Sequence, residues 1–87
     1  MGPVGVTYCS LPDAHVPQVA YAIGRKVGSA VVRNRLRRRL REVTRRLAPE
    51  MAPGAYLVTA SREACSMRFE ELTMTVSRAM GSACAAR

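Results

Sequence analysis

The 87-residue chain has a mass of 9.5 kDa, so it forms one small domain with no room for a second hydrophobic core. Hydrophobic residues make up 48% of it, which predicts a packed interior, and a formal net charge of +8 indicates a polyanionic partner. The single histidine leaves little from which to build a histidine metal site or a Ser-His-Asp triad, so no catalytic residue and no metal ligand is predicted.

The first part of the chain predicts two strands. Apolar residues alternate with small or polar ones over residues 4–9 and again over residues 18–24, with Tyr8 and Tyr21 each on the more apolar face. The short connection that ends at Pro17 predicts that the two strands are antiparallel neighbours.

A long basic helix is predicted next. Ser29 is a suitable N-cap for a helix over about Ala30–Leu47. Between Arg25 and Arg46 there are ten cations and one acid, so the whole positive excess of the chain lies in this stretch. Apolar residues recur there every three or four positions and form one stripe that must pack inward, while arginines take most of the other positions. The stripe consists of Val32, Leu36, Leu40, Val43 and Leu47.

The second half predicts one more strand and one more helix. A turn at Pro53-Gly54 precedes a strand over residues 55–60, which should run parallel to the second strand because a helix connects them. After a short irregular or helical turn, a helix is expected over residues 68–80, with Gly81 just past its end and residues 82–87 as a frayed tail. The result is a single α+β domain over residues 1–87, a small mixed sheet covered by helices.

The cysteines and the hydropathy pattern indicate the cell compartment in which we expect the protein. Cys9, Cys65 and Cys84 are odd in number and none forms a C-x-x-C pair, so we expect free thiols in a reducing environment. No apolar run approaches the ~18 residues of a membrane span, and no secretory leader is recognisable. We therefore expect a cytoplasmic protein without membrane association.

One segment is more specific than a basic helix alone. A strand leads into a basic pair and a glycine-containing turn, and the helix that follows opens with an Arg-Asn-Arg core. In this arrangement the sequence resembles the protein subunit of bacterial ribonuclease P, closely over about residues 20–43 and more loosely over residues 4–80. The residues that carry the resemblance are Arg25, Lys26, Gly28, Arg33, Asn34 and Arg35.

The resemblance implies both a fold and a function. The fold is the ribonuclease P protein-like type (ribosomal protein S5 domain 2-like), whose left-handed β-α-β crossover departs from the usual right-handed rule. The function is that of the non-catalytic protein subunit of an endoribonuclease, which binds the catalytic RNA subunit and assists removal of the 5′ leader from precursor tRNA. The implied partners are the ribonuclease P RNA and precursor tRNA, with no protein partner. Mg²⁺ is implied in the RNA complex, and no cofactor is bound by the protein alone.

The residue chemistry supports an RNA interface independently. Guanidinium groups pair with phosphate in a bidentate manner, Asn34 can read a base edge or a 2′-hydroxyl, and Gly28 permits a close backbone approach. Tyr8 and Tyr21 are possible leader-binding residues because aromatic rings stack on bases, although core packing is favoured for both. Carried over by position from the family that the sequence resembles, the RNA-contact set that the resemblance implies consists of Arg25, Lys26, Gly28, Arg33, Asn34, Arg35, Arg37, Arg38 and Arg41.

One departure and several alternatives accompany this interpretation. Members of the family usually begin with a further helix that forms one wall of the leader site, and we expect that helix to be missing because a strand starts at Val4. The main alternative is a ribosomal-type protein that binds ribosomal RNA. A DNA-binding helix-turn-helix would need a second short helix before Ala30, and a membrane-surface helix would carry aromatic residues in its apolar stripe.

Overall fold

The computed structural model describes residues 2–85 as three strands and two helices. In chain order the strands and helices are β1 (Val4–Cys9), β2 (Pro17–Ala22), α1 (Ala30–Leu47), β3 (Gly54–Ala60) and α2 (Phe69–Ala85). Two short 3-10 segments matter for the site: Arg25–Val27, which we call the β2–α1 turn, and Arg62–Ser66, which we call the β3–α2 turn. A third 3-10 segment, Ala48–Glu50, follows α1.

The sheet has the order β1-β3-β2, so β3 is the central strand. It pairs antiparallel with β1 and parallel with β2, which confirms the predicted parallel arrangement of β2 and β3. The prediction that β1 and β2 are neighbours is wrong, because β3 lies between them. Residues 10–16 connect the two outer strands and are long enough to cross the roughly 10 Å of two strand spacings.

Both helices pack on the same face of the sheet. From α1, Leu36, Leu40 and Val43 are completely or almost completely buried, as the apolar stripe predicts. They join Tyr56 and Val58 of the central strand in one core cluster. The opposite face of the sheet is open, and Leu57 at its centre is 41% exposed. The α+β architecture is therefore confirmed, while the left-handed crossover stays a prediction.

The ends of the two helices show where local signals hold and where they fail. The Ser29 hydroxyl accepts a hydrogen bond from the Val32 amide at 3.3 Å, which confirms the predicted N-cap. The predicted end of α2 at Gly81 is wrong, because the helix continues to Ala85. Its last turn is held by Cys84, which is half-buried against the core with its Sγ 3.7 Å from the hydroxyl of Tyr56. Residues 82–85 are thus helical rather than frayed, and 86–87 lie outside the described residues.

Neither helix in the described part of the chain combines the length and the apolar character that a bilayer-spanning segment needs.

Candidate nucleic-acid interface

The charge of α1 is almost uncompensated by the rest of the molecule. Among residues 2–85 the ion pairs are confined to Glu42, which contacts Arg45 at 2.7 Å and Arg46 at 3.0 Å. Hydrogen bonds from Arg45 and then Arg46 hold the pKa of Glu42 below its usual value. Glu42 lies in the C-terminal half of α1. The basic residues of the N-terminal half therefore have no acidic partner among residues 2–85.

The Arg-Asn-Arg core lies at this unpaired end of α1. Asn34 and Arg35 are exposed, and Arg33 is partly buried. The Nη1 atom of Arg37 donates a hydrogen bond to Oδ1 of Asn34 at 2.7 Å. This hydrogen bond uses one lone pair of the amide oxygen, and the NH₂ group of Asn34 is a donor suited to a phosphate, a 2′-hydroxyl or a base acceptor. The next arginine, Arg38, is also exposed.

The β2–α1 turn adds two more cations. Arg25 and Lys26 are both exposed there, while Val27 is buried and anchors the turn in the core. Gly28 joins the turn to α1 with φ of 156°, and a Cβ at this position would lie 3.0 Å from a side-chain carbon of Val32. Gly28 is therefore needed for the tight entry into the helix that places the basic pair beside the Arg-Asn-Arg core.

Sequence reasoning missed one cation at the same surface. Arg62, in the β3–α2 turn, lines an open groove of about 670 Å³ together with Arg25 and Lys26 of the β2–α1 turn. Arg62 is a single arginine followed by Glu63 in a part of the chain with no excess charge, so no sequence signal distinguishes it. The parallel pairing of β2 with β3 explains the proximity, because the carboxyl ends of the two strands meet at one edge of the sheet.

The two tyrosines considered for leader binding lie on the helix-covered side of the sheet. The Tyr8 hydroxyl donates to the Pro53 carbonyl at 2.6 Å, and its ring centroid is 4.8 Å from that of Tyr56. Tyr21 contacts α1, where its hydroxyl lies 2.5 Å from Oγ1 of Thr44. Both rings are partly buried against the core, in agreement with the favoured interpretation, and leader binding by them stays a prediction.

The remaining arginines of α1 divide between exposed positions and positions that contact other parts of the protein. Arg41 of the predicted set is exposed, with its guanidinium carbon 6.0 Å from the centre of the Tyr21 ring. Arg39 and Arg46, which are outside the predicted set, contact other parts of the protein. Arg46 lies over the Phe69 ring at 4.9 Å, and Arg39 donates hydrogen bonds to backbone carbonyls of the β3–α2 turn and the residue after it.

Neither a disulfide nor a metal-ligand group forms part of this surface. All three cysteines are free thiols. Among residues 2–85, no three His, Cys, Asp or Glu side chains come together in a group that could hold a metal ion. The described surface is therefore one of arginine and lysine cations with amide and hydroxyl groups between them.

Comparison with known proteins gives a consistent result at the level of sequence families. A family model described as "Ribonuclease P" matches residues 4–84. The chain is 50% identical over 60 residues to the "Ribonuclease P protein component" of Symbiobacterium thermophilum, which covers 68% of this chain and 52% of that protein. It is 42% identical over 77 residues to the protein of the same description from Thermus aquaticus, covering 88% and 44%. The chain thus spans about half the length of these curated relatives.

Solved structures with the same fold were also found. The RNase P protein of Staphylococcus aureus superposes with a TM-score of 0.78 at 20% sequence identity, covering 90% of this chain and 72% of that one. The RNase P protein of Thermotoga maritima gives a TM-score of 0.77 at 20% identity, covering 86% and 72%. At this level of identity the structural likeness establishes the fold.

Proposed function

Because the chain belongs to the ribonuclease P protein family, we propose that it acts as the protein subunit of ribonuclease P. In this role it binds the large RNA subunit and assists removal of the 5′ leader from precursor tRNA. The RNA subunit, with its Mg²⁺ ions, carries out the hydrolysis, and the protein contributes cations and hydrogen-bond donors. The family match favours this function over the ribosomal RNA-binding alternative.

The observation that carries the proposal is the unpaired basic surface at the N-terminal end of α1. Repulsion between neighbouring guanidinium groups costs stability, and in the described part of the chain no acid offsets it there. A polyphosphate backbone supplies the missing negative charge, and release of its counterions drives binding. A buried apolar stripe holds the other side of α1 against the core, so the arginines are presented from a rigid element.

The arrangement also offers more than charge. Asn34 lies between Arg33 and Arg35, so a donor that can read a base or a ribose lies between two phosphate contacts. Arg25, Lys26 and Arg62 extend the basic surface beyond the helix to the adjoining edge of the sheet. The basic surface thus has two parts, one on α1 and one on the two turns. A folded RNA with phosphates on more than one strand fits these two parts better than a single straight backbone does.

Reconstitution with the cognate RNA subunit tests the function. At low Mg²⁺ concentration, where the RNA alone is slow, adding the protein should accelerate removal of the leader from precursor tRNA. The protein without RNA should not cleave. Cleavage by the isolated protein would refute the non-catalytic role, and absence of any binding to the RNA subunit would refute the proposal as a whole.

A paired substitution tests the site that we assign. Arg33→Ala combined with Arg35→Ala should weaken assembly with the RNA, while the helical circular-dichroism signal is retained because neither side chain belongs to the buried core. Loss of the helical signal in this variant would show instead that the two arginines are needed for the fold.

A further inference from the structure

Arg39 lies in the middle of the basic run, yet its guanidinium is turned away from the exposed surface. Its Nη1 atom lies 3.5 Å from the Ala64 carbonyl oxygen and 3.4 Å from that of Cys65. Its Nη2 atom donates to the Met67 carbonyl. Two of these carbonyls belong to the β3–α2 turn, and the third belongs to Met67, the residue after it. The Ala64 carbonyl also accepts a hydrogen bond from the Met67 amide at 3.4 Å. We call this set of hydrogen bonds the Arg39 bridge.

The Arg39 bridge lies beside a gap between two segments that carry basic residues, in a smaller cavity of about 180 Å³ that Arg39 lines together with Val32 and Cys65. An open groove of about 840 Å³ separates the start of α1 from the β3–α2 turn, with Ser29 and Val32 on one side and Ser61 and Ser66 on the other. Direct packing between the two segments is therefore incomplete. Ala64 is fully buried and anchors one point of the turn, and the Arg39 bridge fixes the residues that follow it.

The turn held in this way begins with Arg62. We propose that Arg39 is a positioning residue for RNA binding, which holds the β3–α2 turn against α1 so that Arg62 stays on the same surface as Arg25 and Lys26. This inference rests on the proposed function, and it assigns a role to Arg39, one of the arginines of α1 that contact other parts of the protein. A planar guanidinium presents five donors in a fixed fork that can reach three carbonyls at once, whereas the three donors of a lysine ammonium all lie on one nitrogen atom.

A double-mutant cycle on RNA affinity separates positioning from direct contact. Arg62→Ala should weaken binding to the RNA subunit about three- to fivefold, the loss expected for one phosphate contact near physiological salt. Arg39→Ala should cause a loss of similar size, and the double variant should bind no worse than the weaker single variant. Losses that multiply would overturn the proposal, because Arg39 would then contact the RNA independently of Arg62.

Arg38 supplies the matched control for this cycle. It is the neighbouring arginine, it is exposed, and it belongs to the predicted RNA-contact set. Losses from Arg38→Ala and Arg62→Ala should multiply, because the two residues act separately. Arg39→Lys gives a second control, since it keeps the charge but not the three hydrogen bonds. It should bind RNA as weakly as Arg39→Ala, and wild-type affinity in Arg39→Lys would overturn the proposal.

Hydrogen exchange of the free protein tests the Arg39 bridge without RNA. The Met67 amide donates to the Ala64 carbonyl at the end of the turn, and its exchange should accelerate in Arg39→Ala but not in Arg38→Ala. Unchanged exchange in a folded Arg39→Ala variant would overturn the inference even if the wild-type protein binds RNA. If the wild-type protein fails to bind the RNA subunit, the proposed function is wrong, whatever the exchange data show.

Discussion

The hydroxyl of Tyr21 on β2 lies 2.5 Å from Oγ1 of Thr44 on α1. Thr44 in turn donates its own proton to the Arg41 carbonyl at 3.1 Å, so Tyr21 is the donor in the first hydrogen bond. This pair connects an outer strand of the sheet to the basic helix. It fixes the separation between α1 and the strand that leads into the β2–α1 turn, and it keeps Arg41 near the Tyr21 ring.

Removing this hydrogen bond should destabilise the protein moderately. Tyr21→Phe should lower the free energy of unfolding by about 0.5–1.5 kcal/mol, because the pair is partly buried and the Thr44 hydroxyl loses its donor. Urea denaturation measures the change. Thr44→Val should have an effect of the same order, and Tyr21→Phe should cost much less in that background because the pair is already broken. If Tyr21→Phe lowers the free energy of unfolding equally in the wild-type and Thr44→Val backgrounds, the assigned hydrogen bond between Tyr21 and Thr44 is contradicted.

RNA binding should depend steeply on salt. If about six phosphates are neutralised, log K should fall with log salt at a slope between about −4 and −5. Filter binding or fluorescence anisotropy over a range of KCl concentrations measures this slope. Arg35→Ala should make it shallower by about 0.7–0.9, while Arg78→Ala, an exposed arginine on α2 outside the predicted set, should leave it unchanged. A slope near zero would count against the basic surface as the interface.

Two glycines should respond to alanine in opposite directions. Gly81 lies inside α2 with no atom within 4 Å of an added Cβ, so Gly81→Ala should stabilise the protein by about 0.5–1 kcal/mol. Gly54 has φ of 140°, and its added Cβ would lie 2.8 Å from a ring carbon and from the hydroxyl oxygen of Tyr8. Gly54→Ala should therefore destabilise by more than about 1 kcal/mol. Thermal denaturation measures the stability of both variants. A stabilised Gly54→Ala variant would contradict the positive φ of Gly54.

Stability should fall at alkaline pH through Tyr56. Burial raises the pKa of its hydroxyl above the usual value, and the hydrogen bond with Cys84 adds to the effect. Because the fold favours the neutral phenol, this contribution is fully present below about pH 10, the pKa of an unfolded tyrosine, and is lost as the pH rises above it. Denaturation at several pH values between 8 and 11 should show this loss. Tyr56→Phe should be less stable at neutral pH, but its stability should fall less at alkaline pH than that of the wild-type protein. An equal fall in both proteins would contradict ionisation of Tyr56 as the cause.

The basic helix was predictable because its signals are local. Ser29, the spacing of Leu36, Leu40 and Val43, and the charge run all lie within one segment, and a helix places them on defined sides by its own geometry. The assignment of the Arg-Asn-Arg core to an RNA interface rests on the resemblance of this segment to a family motif, and it stays a prediction. The exposed positions of Asn34 and Arg35 agree with that assignment.

Two predictions, the pairing of β1 with β2 and the end of α2 at Gly81, were wrong because contacts between distant parts of the chain decide both features. The position of β3 between β1 and β2 depends on pairing between segments far apart in the sequence, and no local signal reports this. Gly81 carries the usual signal for a helix end, but packing of Cys84 against the core outweighs the local preference.

By itself, the amino-acid sequence determined the helices and strands, the buried stripe of α1 and the presence of an unpaired basic surface, because each follows from the period and charge of neighbouring residues. Only the tertiary structure decided that Arg62 joins this surface and that Arg39 donates hydrogen bonds to backbone carbonyls instead of facing solvent. Arg62 joins the surface because β3 pairs with β2, and Arg39 makes its hydrogen bonds because the turn after β3 meets α1. Both contacts join residues more than 20 positions apart, and packing of the whole core sets their geometry.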